Sequence, residues 1–164
     1  MLDAPMSGKI TPAVRALEQA GITFELLEYD YDPAADAIGL QAAQAIGRPP
    51  AMVFKTLIVA LDSNDLACAI IPADARLHLK ALASAAGARR ADLADPRKAE
   101  RATGYVVGGI SPIGQRKRLR TYIDASAREL DEIVVNGGRR GLQIVLEPTD
   151  LIAATAAVVI ALQA

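Results

Sequence analysis

The sequence predicts a mixed α/β fold: a curled or barrel-like β-sheet surrounded by helices within one domain spanning residues 1–164. Three observations carry the prediction. Helix-like and strand-like segments are interspersed along the chain instead of forming separate blocks. Two apolar, β-branched runs flank the polar turn Asp62-Ser63-Asn64-Asp65, the pattern of a hairpin. The 164 residues, 52% of them apolar, suffice for one hydrophobic core and are short for two.

Thr11-Pro12, then Val14 and Leu17, with Gly21 closing, supplies the cap, first-turn proline and terminal glycine of a helix. Ile22 to Tyr29 reads as a strand, broken by Asp30-Tyr31-Asp32-Pro33 ahead of an alanine-rich helix from about Asp36 to Ile46. Gly47, Pro49 and Pro50 end that helix. Met52 to Leu61 and Leu66 to Ile71 are the two hairpin strands. Leu79 to Ala86 is helical and stops at Gly87, and Asp95-Pro96 opens a short helix reaching Arg101. Tyr105-Val106-Val107 reads as a strand entering a glycine-rich turn. Thr121 to Asp124, Glu132 to Asn136 and Leu142 to Leu146 read as strands, the last two joined through 137–141. The apolar stretch Leu151 to Leu162 reads as a packed terminal helix, shorter than the ~20 residues that a membrane crossing needs.

Composition excludes several classes of function. Aromatic content of 4% without tryptophan argues against a platform on which several bases stack. With 18 basic and 19 acidic residues the net charge is −1, so attraction to a polyanion must come from a local patch. The start, Met1 to Lys9, lacks the positive and apolar segments of a secretory signal. The single cysteine, Cys68, rules out an internal disulfide and a multi-cysteine zinc site. A cytoplasmic protein with no cofactor, no metal and no membrane association is the expectation.

Within the strand Val53-Phe54-Lys55-Thr56-Leu57-Ile58-Val59, period two places Lys55 in a row with Val53, Leu57 and Val59. A buried, unpaired ammonium is costly, so Lys55 either snorkels to solvent or enters a cavity that holds an anionic or carbonyl-bearing partner. Further on, Gly108-Gly109-Ile110-Ser111-Pro112 crowds glycines and a proline together. Glycines let main-chain amides approach a ligand, where they can bind a developing oxyanion, and Pro112 holds Ser111 extended. The same stretch reads equally as a tight structural turn, and it matches neither nucleotide-binding fingerprint. Arg116-Lys117-Arg118, with Arg120 two residues on, concentrates four cations suited to phosphate, or to a solvated loop. His78 and Cys68 read as structural, and no Ser-His-Asp arrangement can be composed.

Three segments together resemble the YbaK/EbsC family: Phe54-Lys55-Thr56-Leu57, Thr103 through Leu119, and Gly137-Gly138-Arg139-Arg140-Gly141-Leu142. Thr11-Pro12-Ala13, Tyr29 before Asp30-Tyr31-Asp32-Pro33, and Ala94-Asp95-Pro96 keep the family's order, so the resemblance spans nearly the whole chain. It implies the family's synthetase-associated domain fold. The implied activity is trans-acting hydrolysis of a mischarged aminoacyl-tRNA ester, Cys-tRNA(Pro) foremost, with the tRNA acceptor end and prolyl-tRNA synthetase as partners. By the same resemblance Lys55 is the essential pocket lysine, and Gly108, Gly109, Ile110 and Ser111 form the catalytic loop ending at Pro112. Tyr29, Thr56, Pro112, Asn136 and Gln143 are expected to bind the aminoacyl group, while the clustered charge of Arg116, Lys117, Arg118 and Arg120, not the resemblance, is the ground for expecting those residues to touch RNA. In cysteine-specific members the substrate's own thiol attacks its ester, so no enzyme nucleophile is required. Asn136 stands where that pattern has Ser, and Gln143 where it has Asp. Editing of another small amino acid (Ala, Ser or Thr) and a non-catalytic module binding tRNA or a synthetase are the alternatives.

Overall fold

The computed structural model describes residues 10–34, 38–62 and 65–164. The expected start of the second helix at Asp36, the turn residues Ser63 and Asn64, and Met1 to Lys9 lie outside them.

Helix α1 (Pro12–Gln19) begins as its sequence dictates: the Thr11 hydroxyl accepts from the Val14 amide at 3.2 Å, and Pro12 occupies the first turn. The same hydroxyl donates to Gly137 O at 2.6 Å, tying the helix to a distant turn. Strand β1 (Glu25–Glu28) pairs antiparallel with β7 (Leu142–Leu146), which pairs antiparallel with β6 (Ile133–Asn136). The larger sheet runs β4 (Ala91–Leu93), β2 (Phe54–Leu61), β3 (Asp65–Pro72), β5 (Arg120–Asp124), β8 (Val158–Ile160). There β2 is antiparallel to both neighbours, while β3–β5 and β5–β8 are parallel. A bridge between Val53 and Val134, with the Val134 amide donating to Met52 O at 3.0 Å, joins the two sheets at one corner. The curl expected from sequence is thus two sheets folded about one joint.

Period two decides what each face packs against. Phe54, Ile58, Cys68, Ile70 and Ile123 of the larger sheet meet Ile133, Val135, Ile144 and Leu146 of the smaller one, closed off by Val14 and Leu17 of α1. The alternate residues of the larger sheet, Val59, Leu61, Ala67, Ala69 and Ile71, pack beneath Leu82 and Ala83 of α3 (Leu79–Ala86). On the outer face of the smaller sheet, Val134 and Val145 pack with Val53 and with Ala42 and Ala43 of α2 (Ile38–Ile46). Helix α4 (Pro96–Thr103) precedes the glycine-rich turn, and α5 (Pro148–Thr155) follows β7. Among the described residues no helix is long and apolar enough to cross a membrane.

Two sequence expectations are corrected. Tyr105-Val106-Val107 is a turn, not a strand: Thr103 Oγ1 takes the Tyr105 amide, and Gly109 N donates to Val106 O at 2.8 Å. The terminal helix ends at Thr155, where Ala156 adopts a left-handed φ of 54°, and the β-branched Val158-Val159-Ile160 then adds strand β8 beside β5. The three-residue strand β4 was not foreseen either.

Candidate active site

Lys55 is the second residue of β2, opposite Ile71 of β3. Its row continues through Leu57 into the covered Val59 and Leu61. Over Lys55, however, lies the first turn of α2, and the residue there is Gly39. A Cβ on Gly39 would sit 3.1 Å from the Ala73 Cβ and 3.7 Å from the Lys55 Cβ. Glycine in a helix costs about 1 kcal/mol relative to alanine, so this close approach is what the position gains from lacking a side chain. The result is a cavity of ≈ 430 Å³, within the range of small-ligand sites.

The cavity brings together Tyr29, Lys55, Thr56, Gly108, Ile110, Asn136 and Gln143, seven residues expected from sequence to handle substrate. Its apolar wall comes from Ala42, Val53, Phe54, Leu57, Ala73 and Val107. Lys55 is half-buried, and burial holds its ammonium below the usual lysine range, partly opposed by the carboxylate of Asp74. Among the described residues no carboxylate lies at ion-pair distance from it. The buried hydroxyls of Tyr29 and Thr56 have no hydrogen-bond partner there either. Burial, then the neighbouring Tyr31, pushes the Tyr29 phenol upward, so it stays a neutral donor. An amine and two hydroxyls without partners in one recess are polar groups that a ligand would satisfy.

Asn136 and Gln143 face each other across the β6–β7 ladder. Asn136 is engaged at both ends of its amide: Nδ2 donates to Gly108 O at 3.2 Å and Oδ1 accepts from Gly138 N at 2.7 Å. It therefore ties the glycine turn to the hairpin turn. Gln143 is only 3% exposed, and its Nε2 donates to Leu142 O at 3.2 Å.

The glycine turn divides into exposed and structural parts. Gly108 has φ +89°, and a Cβ there would fall 2.7 Å from the Tyr31 hydroxyl, so only glycine fits. Gly109 backs onto the main chain of Arg139 and Arg140, where a Cβ would approach within 2.8 Å. Its amide is taken by Val106 O, which removes Gly109 from the expected oxyanion donors. Ser111 is 0% exposed, its Oγ accepting from Ile113 N at 3.2 Å, and like buried Pro112 it does not line the cavity. The amides of Gly108 and Ile110 have no hydrogen-bond acceptor among the described residues.

The basic run is near the turn in sequence but not around the cavity. Arg116, Lys117, Arg118 and Arg120 are exposed, and none lines the recess. Arg120 is in register with Ala67, four residues along β3 from the Ile71 that faces Lys55, about 13 Å at ~3.3 Å per residue. Its guanidinium donates to Ala86 O at 3.0 Å. Sequence reasoning gave no role to Arg140, which sits at the cavity's rim with Nε donating to Val107 O at 3.0 Å. The structural readings of His78 and Cys68 match the geometry. His78 Nδ1 caps α3 by accepting from Ala81 N at 3.0 Å. Cys68 is buried, its thiol pushed up to about 12 by burial. Among the described residues no group of three His, Cys, Asp or Glu could hold a metal ion.

Residues 32–154 match the family model of the aminoacyl-tRNA editing domain. EbsC of Enterococcus faecalis, named as a Cys-tRNA(Pro)/Cys-tRNA(Cys) deacylase, is 33% identical over 88% of this chain and 88% of its own. ProXp-y of Escherichia coli, a multifunctional Ser/Thr-tRNA deacylase, is 28% identical over 84% of this chain and 82% of its own. A crystal structure named as that of a trans-editing enzyme for prolyl-tRNA synthetase superposes with TM-score 0.80 at 26% identity, covering 94% of this chain and 99% of the other.

Proposed function

The chain belongs to the aminoacyl-tRNA editing domain family, and from that premise we propose that it hydrolyses the ester of a mischarged tRNA, Cys-tRNA(Pro) foremost. One observation supports this reading above the others: Lys55, with no ion pair among the described residues, lines one cavity with Gly108 and Ile110, whose amides have no acceptor among the described residues. An aminoacyl ester brings a carbonyl oxygen that becomes anionic as the tetrahedral intermediate forms. Preorganised donors directed at that oxygen stabilise the intermediate more than the ground state.

In this reading Lys55 and the two amides grip the carbonyl, and the Tyr29 and Thr56 hydroxyls orient the aminoacyl group. Asn136 holds the turn that presents the amides. Among the described lining residues there is no carboxylate or histidine to act as general base, so the nucleophile comes from the substrate or from water. For a cysteinyl ester, the substrate thiol adds to the carbonyl carbon. The C–S bond forms in a tetrahedral intermediate, which collapses by breaking the ester C–O bond as the thiol proton passes to the departing ribose oxygen; water then opens the cyclic thioester and releases free cysteine. The roles of Gly109, Ser111 and Pro112 are to shape the turn. Arg116, Lys117, Arg118 and Arg120, which do not line the recess, meet the body of an acceptor stem and not its reacting end. The protein works in the cytoplasm as one folded unit, alongside prolyl-tRNA synthetase.

A second reading keeps the reaction and changes the amino acid. The neutral Gln143, opposite Asn136, stands in place of the carboxylate of the cysteine pattern, and the Escherichia coli relative is named for Ser and Thr. Purified protein incubated with Cys-, Ala-, Ser- and Thr-tRNA(Pro) separates the two. Fastest release of label from the cysteinyl ester supports the first reading, fastest release from another supports the second, and no release from any refutes both.

A further inference from the structure

The rim of the cavity carries a cation that the deacylase reading leaves without a task. Arg140 lies in the turn between β6 and β7, and its side chain reaches back over the glycine turn. Nε donates to Val107 O at 3.0 Å, and the guanidinium carbon stands 5.3 Å from the centre of the Tyr31 ring. Gly108 makes room for both: a Cβ there would lie 3.3 Å from the Arg140 Nε and 2.7 Å from the Tyr31 hydroxyl. The residue is exposed, and its two terminal nitrogens make no hydrogen bond among the described residues. Arg139 next to it is engaged differently, pairing with Glu28 and donating to Arg140 O.

Arg140 is therefore held by one nitrogen and one aromatic face, and the remaining donors of its planar fork have no acceptor among the described residues. A guanidinium fixed in this way loses little freedom on binding and matches phosphate oxygens two at a time. On the same turn, Val106 and Val107 are 51% and 43% exposed, an apolar shelf beside the cation. A fixed cation next to exposed aliphatic surface, at the mouth of a recess that accepts an acyl ester, fits a nucleotide at the end of an RNA strand.

We propose that Arg140, braced on Tyr31, binds the 5′-phosphate of the terminal nucleotide of the acceptor strand, with Val106 and Val107 against its nucleoside. The assignment rests on the deacylase reading and deepens it: the reacting ester enters the recess while its own nucleotide is held at the rim. Sequence recognition is not involved, since every tRNA presents the same terminal phosphate at this position.

The test compares a cysteine-charged microhelix ending in CCA with 3′-O-cysteinyl-adenosine, which has no phosphate. Arg140→Gln raises KM for the microhelix about tenfold with kcat held within about twofold, and leaves KM and kcat for the adenosine ester unchanged. For the uncharged microhelix, affinity falls about tenfold and the slope of log affinity against log salt becomes shallower by about 0.7. Arg140→Lys, which keeps charge but loses the fork, falls between. Equal losses on both esters would mean that Arg140 only holds the turn, and would overturn the proposal. Unchanged microhelix affinity in the variant, or none measurable in the unsubstituted protein, would overturn it too. Should the unsubstituted protein hydrolyse neither ester, the deacylase reading fails, and the microhelix affinities still decide Arg140.

Discussion

The two ends of strand β2 carry one row of side chains into different surroundings. At the far end Val59 and Leu61 are roofed by Leu82 and Ala83 of α3, and the row is dry core. At the near end the roof is the first turn of α2, where Gly39 presents no side chain, and the row ends in Lys55 facing a cavity. The strand backbone is regular throughout, so what separates core from site is the side chain placed above it. A helix that offers leucine fills the space. A helix that offers glycine comes close and leaves a recess in which an amine has no ion pair among the described residues.

Each end is expected to respond in its own observable. Leu82→Ala empties the dry end and is expected to destabilise the fold by about 2–5 kcal/mol, read by denaturant unfolding, while turnover of the folded fraction is retained. Gly39→Val fills the open end: its Cβ starts 3.1 Å from the Ala73 Cβ and 3.7 Å from the Lys55 Cβ, and its two methyls add volume to that crowded contact. The expected loss is about 10²-fold in kcat/KM on charged tRNA, because an ester displaced by about 1 Å no longer meets its donors. The comparison would break if Gly39→Val left deacylation intact, or if Leu82→Ala abolished it in protein shown to be folded.

Two smaller effects sharpen it. Asn136→Ala releases Gly108 O from its 3.2 Å bond and loosens the turn, with an expected fall of about tenfold in kcat from poorer positioning of the amides. Asp74→Asn removes the carboxylate that opposes the burial effect on Lys55. The ammonium then gives up its proton at lower pH, so the alkaline limb of the kcat profile moves to lower pH, with little change on the acid side. The sign for stability runs the same way. A lysine whose folded value lies below its unfolded one binds its proton less well when folded. The fold is therefore weakened below the folded value and regains stability as pH rises between the two.

Much of this was legible in the sequence where the signal is local. Alternation along 53–59 put Lys55 in an apolar row, and Thr11-Pro12 and Leu79 to Gly87 carried their helix boundaries openly. Tyr105-Val106-Val107 misled because its composition suits a strand, yet Val106 and Val107 have no sheet to join and stand exposed on a turn. The tail misled in the opposite sense: Leu151 to Leu162 is evenly apolar, and only pairing with β5 shows that Val158 to Ile160 is a strand. The site was legible as residue types and not as roles. Nothing local says that the Gly109 amide is taken by Val106 O, or that the basic run after Gly114 does not line the recess. Arg140 was missed because its partners, Tyr31 and Val107, are brought to it only by the fold.

The central claim is that the Lys55 amine is present for the ester and not for the fold. Single-turnover release of labelled cysteine from Cys-tRNA(Pro), measured beside thermal unfolding for the unsubstituted protein and Lys55→Met, tests it most directly. The account predicts that methionine, which keeps the apolar stem and removes a poorly solvated charge, holds or raises the melting temperature while release stops. Release that continues in the variant, or that is lost only together with the fold, would contradict it.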